Sequence, residues 1–165
     1  MRRRCRLLIA LVALIAVLGA FSSTAVAATS ATNTKTVLVT GTTSSGGTFT
    51  GTFTITKFAV QNGQVVAIGT LTGTLTDEFG NISTVTQQVA FPVSFGQHSC
   101  TILELTLGPV TVGQVQLDAV GLTITTQPGS GNVVGNLLCQ IAGLLDRGAS
   151  LSAVVDKLNQ VLKRL

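Results

Sequence analysis

Hydrophobic and polar positions alternate along the chain from Thr36 to about Thr126, and after Asn132 the period lengthens to about 3.6 residues. The two regimes predict a mainly β, α+β fold: a curved or barrel-like antiparallel sheet over residues 36–126, then a helical hairpin over 132–165. Residues 28–35 are small and polar without a period, which reads as a flexible linker into a single domain spanning 36–165.

The most regular stretch is a near-mirror repeat. Residues 47–54 read Gly-Thr-Phe-Thr-Gly-Thr-Phe-Thr and residues 69–76 read Gly-Thr-Leu-Thr-Gly-Thr-Leu-Thr, with Gln61-Asn62-Gly63-Gln64 between them as a hairpin signal. A two-residue Asn-Gly turn sets Phe53 opposite Thr72 and mixes the faces. A three-residue loop with Gly63 left-handed sets Phe49 opposite Leu75, Gly51 opposite Gly73 and Phe53 opposite Leu71. Thr50–Thr74, Thr52–Thr72 and Thr54–Thr70 then share the other face. A one-residue slip exchanges the faces, so burial selects the second register, with a type I turn and a G1 bulge. In that register Phe58, Val60, Val66 and Ile68 fall on the threonine face near the tip, which predicts an end covered on both sides or strongly twisted.

Further along, Asp77-Glu78-Phe79-Gly80-Asn81 is a turn signal. Val85, Val89, Phe91, Val93 and Phe95 mark a half-buried strand, with Pro92 pointing to an edge or bulge. Leu103, Leu105 and Leu107 mark another. The hydrophobic phase switches near Val120-Gly121, as a bulge would make it do. Six or seven such strands tend to curl or close. In the helical part, Asn132 suits an N-cap, and Val133, Val134, Leu137, Leu138, Ile141, Leu144 and Leu145 form one stripe that Gly148 ends. A second helix starts near Ser150, with Leu151, Val154, Val155, Leu158, Val161, Leu162 and Leu165 on one face and Lys163 and Arg164 in its last turn.

The first 27 residues change how the rest is read. Arg2, Arg3, Arg4 and Arg6 precede an apolar run from Leu7 to Phe21, and Ala25-Val26-Ala27 offers a small-x-small cleavage site. This is the pattern of a signal peptide, too short for a membrane span, so the expected location is secreted or extracytoplasmic, with no transmembrane segment afterwards. The formal charge of +4 then belongs to the leader, because six cations (Lys35, Lys57, Arg147, Lys157, Lys163, Arg164) balance six carboxylates (Asp77, Glu78, Glu104, Asp118, Asp146, Asp156). Nucleic acid is not an expected partner, since phosphate binding needs clustered cations. About 138 residues remain, enough for one core. There is no Trp and no Tyr, which removes the usual stacking groups.

Cys100 and Cys139 remain after the leader, and an even pair in an oxidising compartment reads as a disulfide. Closing that loop adds roughly 4 kcal/mol by chain entropy. A metal or redox site with His98 is the rival, but two cysteines and one histidine are few ligands and no Cys-x-x-Cys occurs. His98 reads as a loop residue beside the disulfide. No catalytic, cofactor-binding or metal-ligating residue is assigned, and no cofactor. The segment Gly129-Ser130-Gly131-Asn132-Val133-Val134-Gly135 is one residue longer than a dinucleotide fingerprint and lacks a βαβ setting. Thr48–Thr56 and Thr70–Thr76 form a two-strand hydroxyl ladder, either a solvent face or an array that adsorbs to a crystalline or polymeric surface.

Cys100-Thr-Ile-Leu-Glu-Leu-Thr-Leu-Gly-Pro, Gln127-Pro-Gly-Ser-Gly-Asn-Val-Val-Gly-Asn-Leu-Leu-Cys139 and the Phe-Thr-Gly-Thr-Phe-Thr region resemble a group of small secreted bacterial proteins of unknown function sharing a PG-x-GN-x-x-GN-LLC segment. The resemblance implies a bacterial source and pairs the two cysteines, and it brings no activity. The expected function is an exported non-enzymatic domain, structural and envelope-associated or binding an apolar small molecule. The alternative is a carboxylate-dependent hydrolase acting on envelope material.

Overall fold

Alternation becomes one curled, half-barrel sheet in the computed structural model, which describes residues 30–32, 34–127 and 130–165. The leader and Pro128-Gly129 lie outside the described residues. The strands are β1 (Ser30–Thr32), β2 (Thr36–Thr43), β3 (Thr48–Gln61), β4 (Gln64–Thr76), β5 (Ile82–His98), β6 (Ile102–Leu107), β7 (Val110–Val112), β8 (Val115–Leu117) and β9 (Val120–Thr125). Their spatial order is β1-β9-β6-β5-β4-β3-β2-β8-β7. All pairings are antiparallel except β1 on β9, so Ser30–Thr32, inside the segment read as a linker, is paired through its backbone. The curl brings β9 and β1 back near β2.

The hairpin of β3 and β4 keeps the expected register through its body, with Phe49 opposite Leu75, Gly51 opposite Gly73 and Phe53 opposite Leu71. The turn itself is different. Asn62 (φ 49°) and Gly63 (φ 74°) are both left-handed, and Gln61 pairs with Gln64, so the connection is a two-residue type I′ turn. The extra residue sits at Thr56, where the register shifts between Ile55 and Lys57. This bulge reverses the phase. Phe58 is therefore buried with Ala67, and Val60 pairs with Val65, instead of falling on the threonine face. Val66 and Ile68 do lie on that face, Val66 buried.

One other expectation is corrected. The phase switch at Val120-Gly121 is a break: β8 pairs with β2, whereas β9 crosses to pair with β6. Asp118 anchors the break, with its N–H donating to Thr40 O (2.9 Å) and its Oδ2 accepting from Thr40 Oγ1 (2.8 Å). Pro92, expected at an edge or bulge, stands in a 17-residue strand at the end of its one-sided part, where β5 stops pairing with β4 and starts pairing with β6 at Val93.

The sheet's concave side is filled. Phe49, Phe53, Phe91, Leu71, Leu103, Leu105, Leu107 and Leu122 are each no more than 1 % exposed, and the Phe53 and Phe91 rings meet at 4.6 Å. Gly51 and Gly73 leave room for the Phe49 ring: a Cβ on either would come within 2.8 Å of Phe49 Cζ. Helices α1 (Val133–Asp146) and α2 (Leu151–Leu162) complete this core with Leu137, Leu138, Ile141, Val154, Val155, Leu158, Val161 and Leu162. Asn132 Oδ1 caps α1 by accepting from Gly135 N–H (3.1 Å). Gly148 (φ 61°) ends it in a Schellman pair, Ala149 N–H to Leu144 O and Gly148 N–H to Leu145 O. Ser150 caps α2, which ends at Leu162, so Lys163 is its C-cap and Arg164 lies beyond.

Candidate functional site

The convex side of β2–β5 carries a regular array of hydroxyls. Four in-register rows cross the four strands: Thr42–Thr48–Thr76–Ile82, Thr40–Thr50–Thr74–Thr84, Leu38–Thr52–Thr72–Thr86 and Thr36–Thr54–Thr70–Gln88. Thirteen of these sixteen positions are threonine, none is charged and none is buried. Rows stand about 6.8 Å apart along a strand and neighbours about 4.8 Å apart across strands. Thr36 and Thr54 share one hydroxyl bond (3.1 Å). The hydroxyls of Thr50, Thr52, Thr72 and Thr74 have no protein partner among the described residues, and each can both donate and accept. The sequence exposes the β3–β4 ladder. Its doubling by β2 and β5 depends on pairings that no local repeat announces.

At one end of the sheet the predicted cysteines meet. Cys100 and Cys139 are at disulfide distance, Sγ–Sγ 1.93 Å with Cα atoms 4.1 Å apart, joining the β5–β6 connection to α1. His98 is beside them at the end of β5, not in a loop, and it makes a second tie. Its Nδ1 contacts Gly96 O (2.9 Å) and its Nε2 contacts Asp146 Oδ1 (3.1 Å) at the last residue of α1. The Gly96 carbonyl, then the Asp146 carboxylate, hold the imidazole pKa above its ordinary value. Nothing in the sequence spacing links His98 to Asp146, since they are brought together only by the fold.

The other carboxylates are dispersed. Asp77 organises its own turn, accepting from Phe79 N–H, Asn81 N–H and Asn81 Nδ2, and the Asn81 side-chain amide leads in holding its pKa below the usual carboxylate range. Glu104 accepts from Gln97 N–H, and Asp118 from Thr40. No group of three or more His, Cys, Asp or Glu side chains that could hold a metal ion occurs among the described residues. A groove of about 570 Å³, open to solvent, is lined by Lys35, Thr54, Ile55, Thr56, Lys57, Asn159, Leu162 and Lys163. It has an apolar floor and a cationic rim, and no carboxylate.

No helix among the described residues is long and apolar enough to cross a membrane. No protein family, curated protein or solved structure matches the chain.

Proposed function

We propose that the protein is an exported, non-enzymatic, envelope-associated module whose working surface is the threonine face, held against a neutral hydroxylated polymer such as a wall glycan. The composition of that face carries the reading. Thirteen of its sixteen positions are threonine in register across four strands, and none is charged, in contrast to the mixed charged surface usual on a soluble domain. Threonine is the polar residue a strand tolerates best, which accounts for single threonines but not for four rows of them in register. A repeated hydroxyl and methyl array without charge suits an uncharged partner with its own repeating hydroxyls. Recognition runs through hydrogen bonds and methyl contacts, as a chain without Trp or Tyr requires.

An apolar small molecule is the second reading, and the groove beside Ile55 and Leu162 favours it, with Lys35, Lys57 and Lys163 placed for an anionic end. The sheet interior offers such a ligand little, being occupied by Phe49, Phe53 and Phe91. A hydrolase draws no support from the grooves described, which lack carboxylates.

Co-sedimentation with the insoluble neutral polysaccharide of the producing cell tests the first reading. A variant carrying Thr50→Val, Thr52→Val, Thr72→Val and Thr74→Val keeps branched strand residues and removes four hydroxyls. At about 1 kcal/mol per hydrogen bond lost, its retention falls at least about tenfold while the far-UV circular dichroism is unchanged. Equal retention of the two proteins contradicts the reading.

A further inference from the structure

Among the described residues, β5 carries a long strand edge with nothing paired to it. Residues 82–92 pair with β4, but pairing with β6 begins only at Val93. From Ile82 to Phe91, about 30 Å of strand, no strand is hydrogen-bonded on the side away from β4; β7 comes near β5 without pairing to it, and Ile82–Gln88 stay exposed or half-buried. One bond fixes which groups face outward. The Pro92 carbonyl accepts from Gly108 N–H (2.7 Å), on the β6 side. No register shift interrupts the β4–β5 ladder, so alternation turns the amides and carbonyls of Thr84, Thr86, Gln88 and Ala90 the same way. Pro92, which has no N–H to offer, stands where the bare edge ends.

Exposed edges are normally blunted by shortness, charge or a bulge. The sheet's terminal strands, β1 and β7, have three residues each. The β5 edge uses none of these devices. No Asp, Glu, Lys or Arg occurs between Glu78 and Glu104, and the ladder over 82–92 has no bulge. The two most exposed large apolar side chains, Phe79 (81 %) and Ile82 (72 %), stand at its start.

We propose that this edge is where a second copy of the chain adds its own β5, antiparallel, about a two-fold axis at Val85 or Thr86. The bare backbone groups require a β-strand as partner. Self-complementarity makes that strand this chain's own. With the axis at Val85, Thr84 faces Thr86 and Ile82 faces Gln88; with it at Thr86, Thr86 faces itself and Thr84 faces Gln88. In both, outward-facing groups meet outward-facing groups, threonine side chains oppose threonine or glutamine, and no like charges meet. Opposed residues share a face, so the dimer joins two threonine arrays into one eight-strand surface. The pairing does not rest on polymer binding.

Sedimentation equilibrium of the mature secreted chain tests it. Wild type is a dimer. Thr86→Lys and Thr86→Glu each weaken association at least about tenfold through like charges across the axis, with far-UV circular dichroism unchanged, and mixing the two restores dimers. A wild type that stays monomeric up to millimolar concentration overturns the pairing and leaves the polymer reading to its own test. A Thr86→Lys chain that associates as wild type does, or a mixture that stays monomeric, overturns the pairing as well.

Discussion

Asn159 does the work of a missing strand. The β2–β3 ladder ends at Thr36 and Thr54, and past the Thr56 bulge the β3 edge would be unpaired. There the Asn159 side chain, reaching from α2, accepts from Phe58 N–H (2.8 Å) and donates to Phe58 O (2.9 Å). An amide side chain has the same donor and acceptor pair as a peptide unit, so it satisfies both groups at once. Asn159→Leu fills the space and leaves both backbone groups part-buried and unpaired, which lowers unfolding free energy by about 2 kcal/mol. Urea titration followed by circular dichroism measures it, and a loss under a few tenths of a kcal/mol contradicts this role. Nothing in the sequence marks Asn159, because its partner is 101 residues away and its helix is amphipathic without it.

Between elements, the sheet and α1 are tied twice, by Cys100 with Cys139 and by His98 with Asp146. The second tie depends on pH. The folded-state pKa of His98 is raised, so its stabilisation is fully present below the unfolded value of about 6.5 and is lost as pH rises through the higher folded value. Thermal melts between pH 5 and pH 8 therefore show a small extra stability at acidic pH. His98→Gln removes that component. Asp146→Asn removes only part of it, because the Gly96 carbonyl remains and is the larger cause. Identical pH profiles for wild type and His98→Gln contradict the assignment. Elements also show where sequence reading stops. The Thr-Phe-Thr-Gly repeat determined the hairpin register because one slip would expose Phe49 and Phe53. The N-cap at Asn132, the stop at Gly148 and the start of α2 near Ser150 are equally legible, since each is a local donor–acceptor problem. The Thr56 bulge was not, because an I′ turn and a bulge elsewhere produce the same body register as a G1 bulge at the turn. Nor was the split of β8 from β9, which only the position of β2 decides.

Across the whole molecule the two sides of the sheet have opposite compositions. The concave side is packed with phenylalanine and leucine, closed by two helices. The convex side of β2–β5 is a charge-free hydroxyl array, and its last strand ends in an unguarded edge that can double it. Of this surface the sequence showed two strands; the other two come from long-range pairing, which no alternation pattern specifies. In the proposed function, partners are met on this convex face. Methyl-detected NMR of protein labelled at threonine, isoleucine and leucine, titrated with soluble fragments of the neutral envelope glycan, tests that most directly. Binding there gives saturating shifts confined to the exposed methyls of Thr50, Thr52, Thr72, Thr74 and their row neighbours. Shifts confined to Ile55 and Leu162, or an unmoved threonine set at saturating glycan, would contradict it.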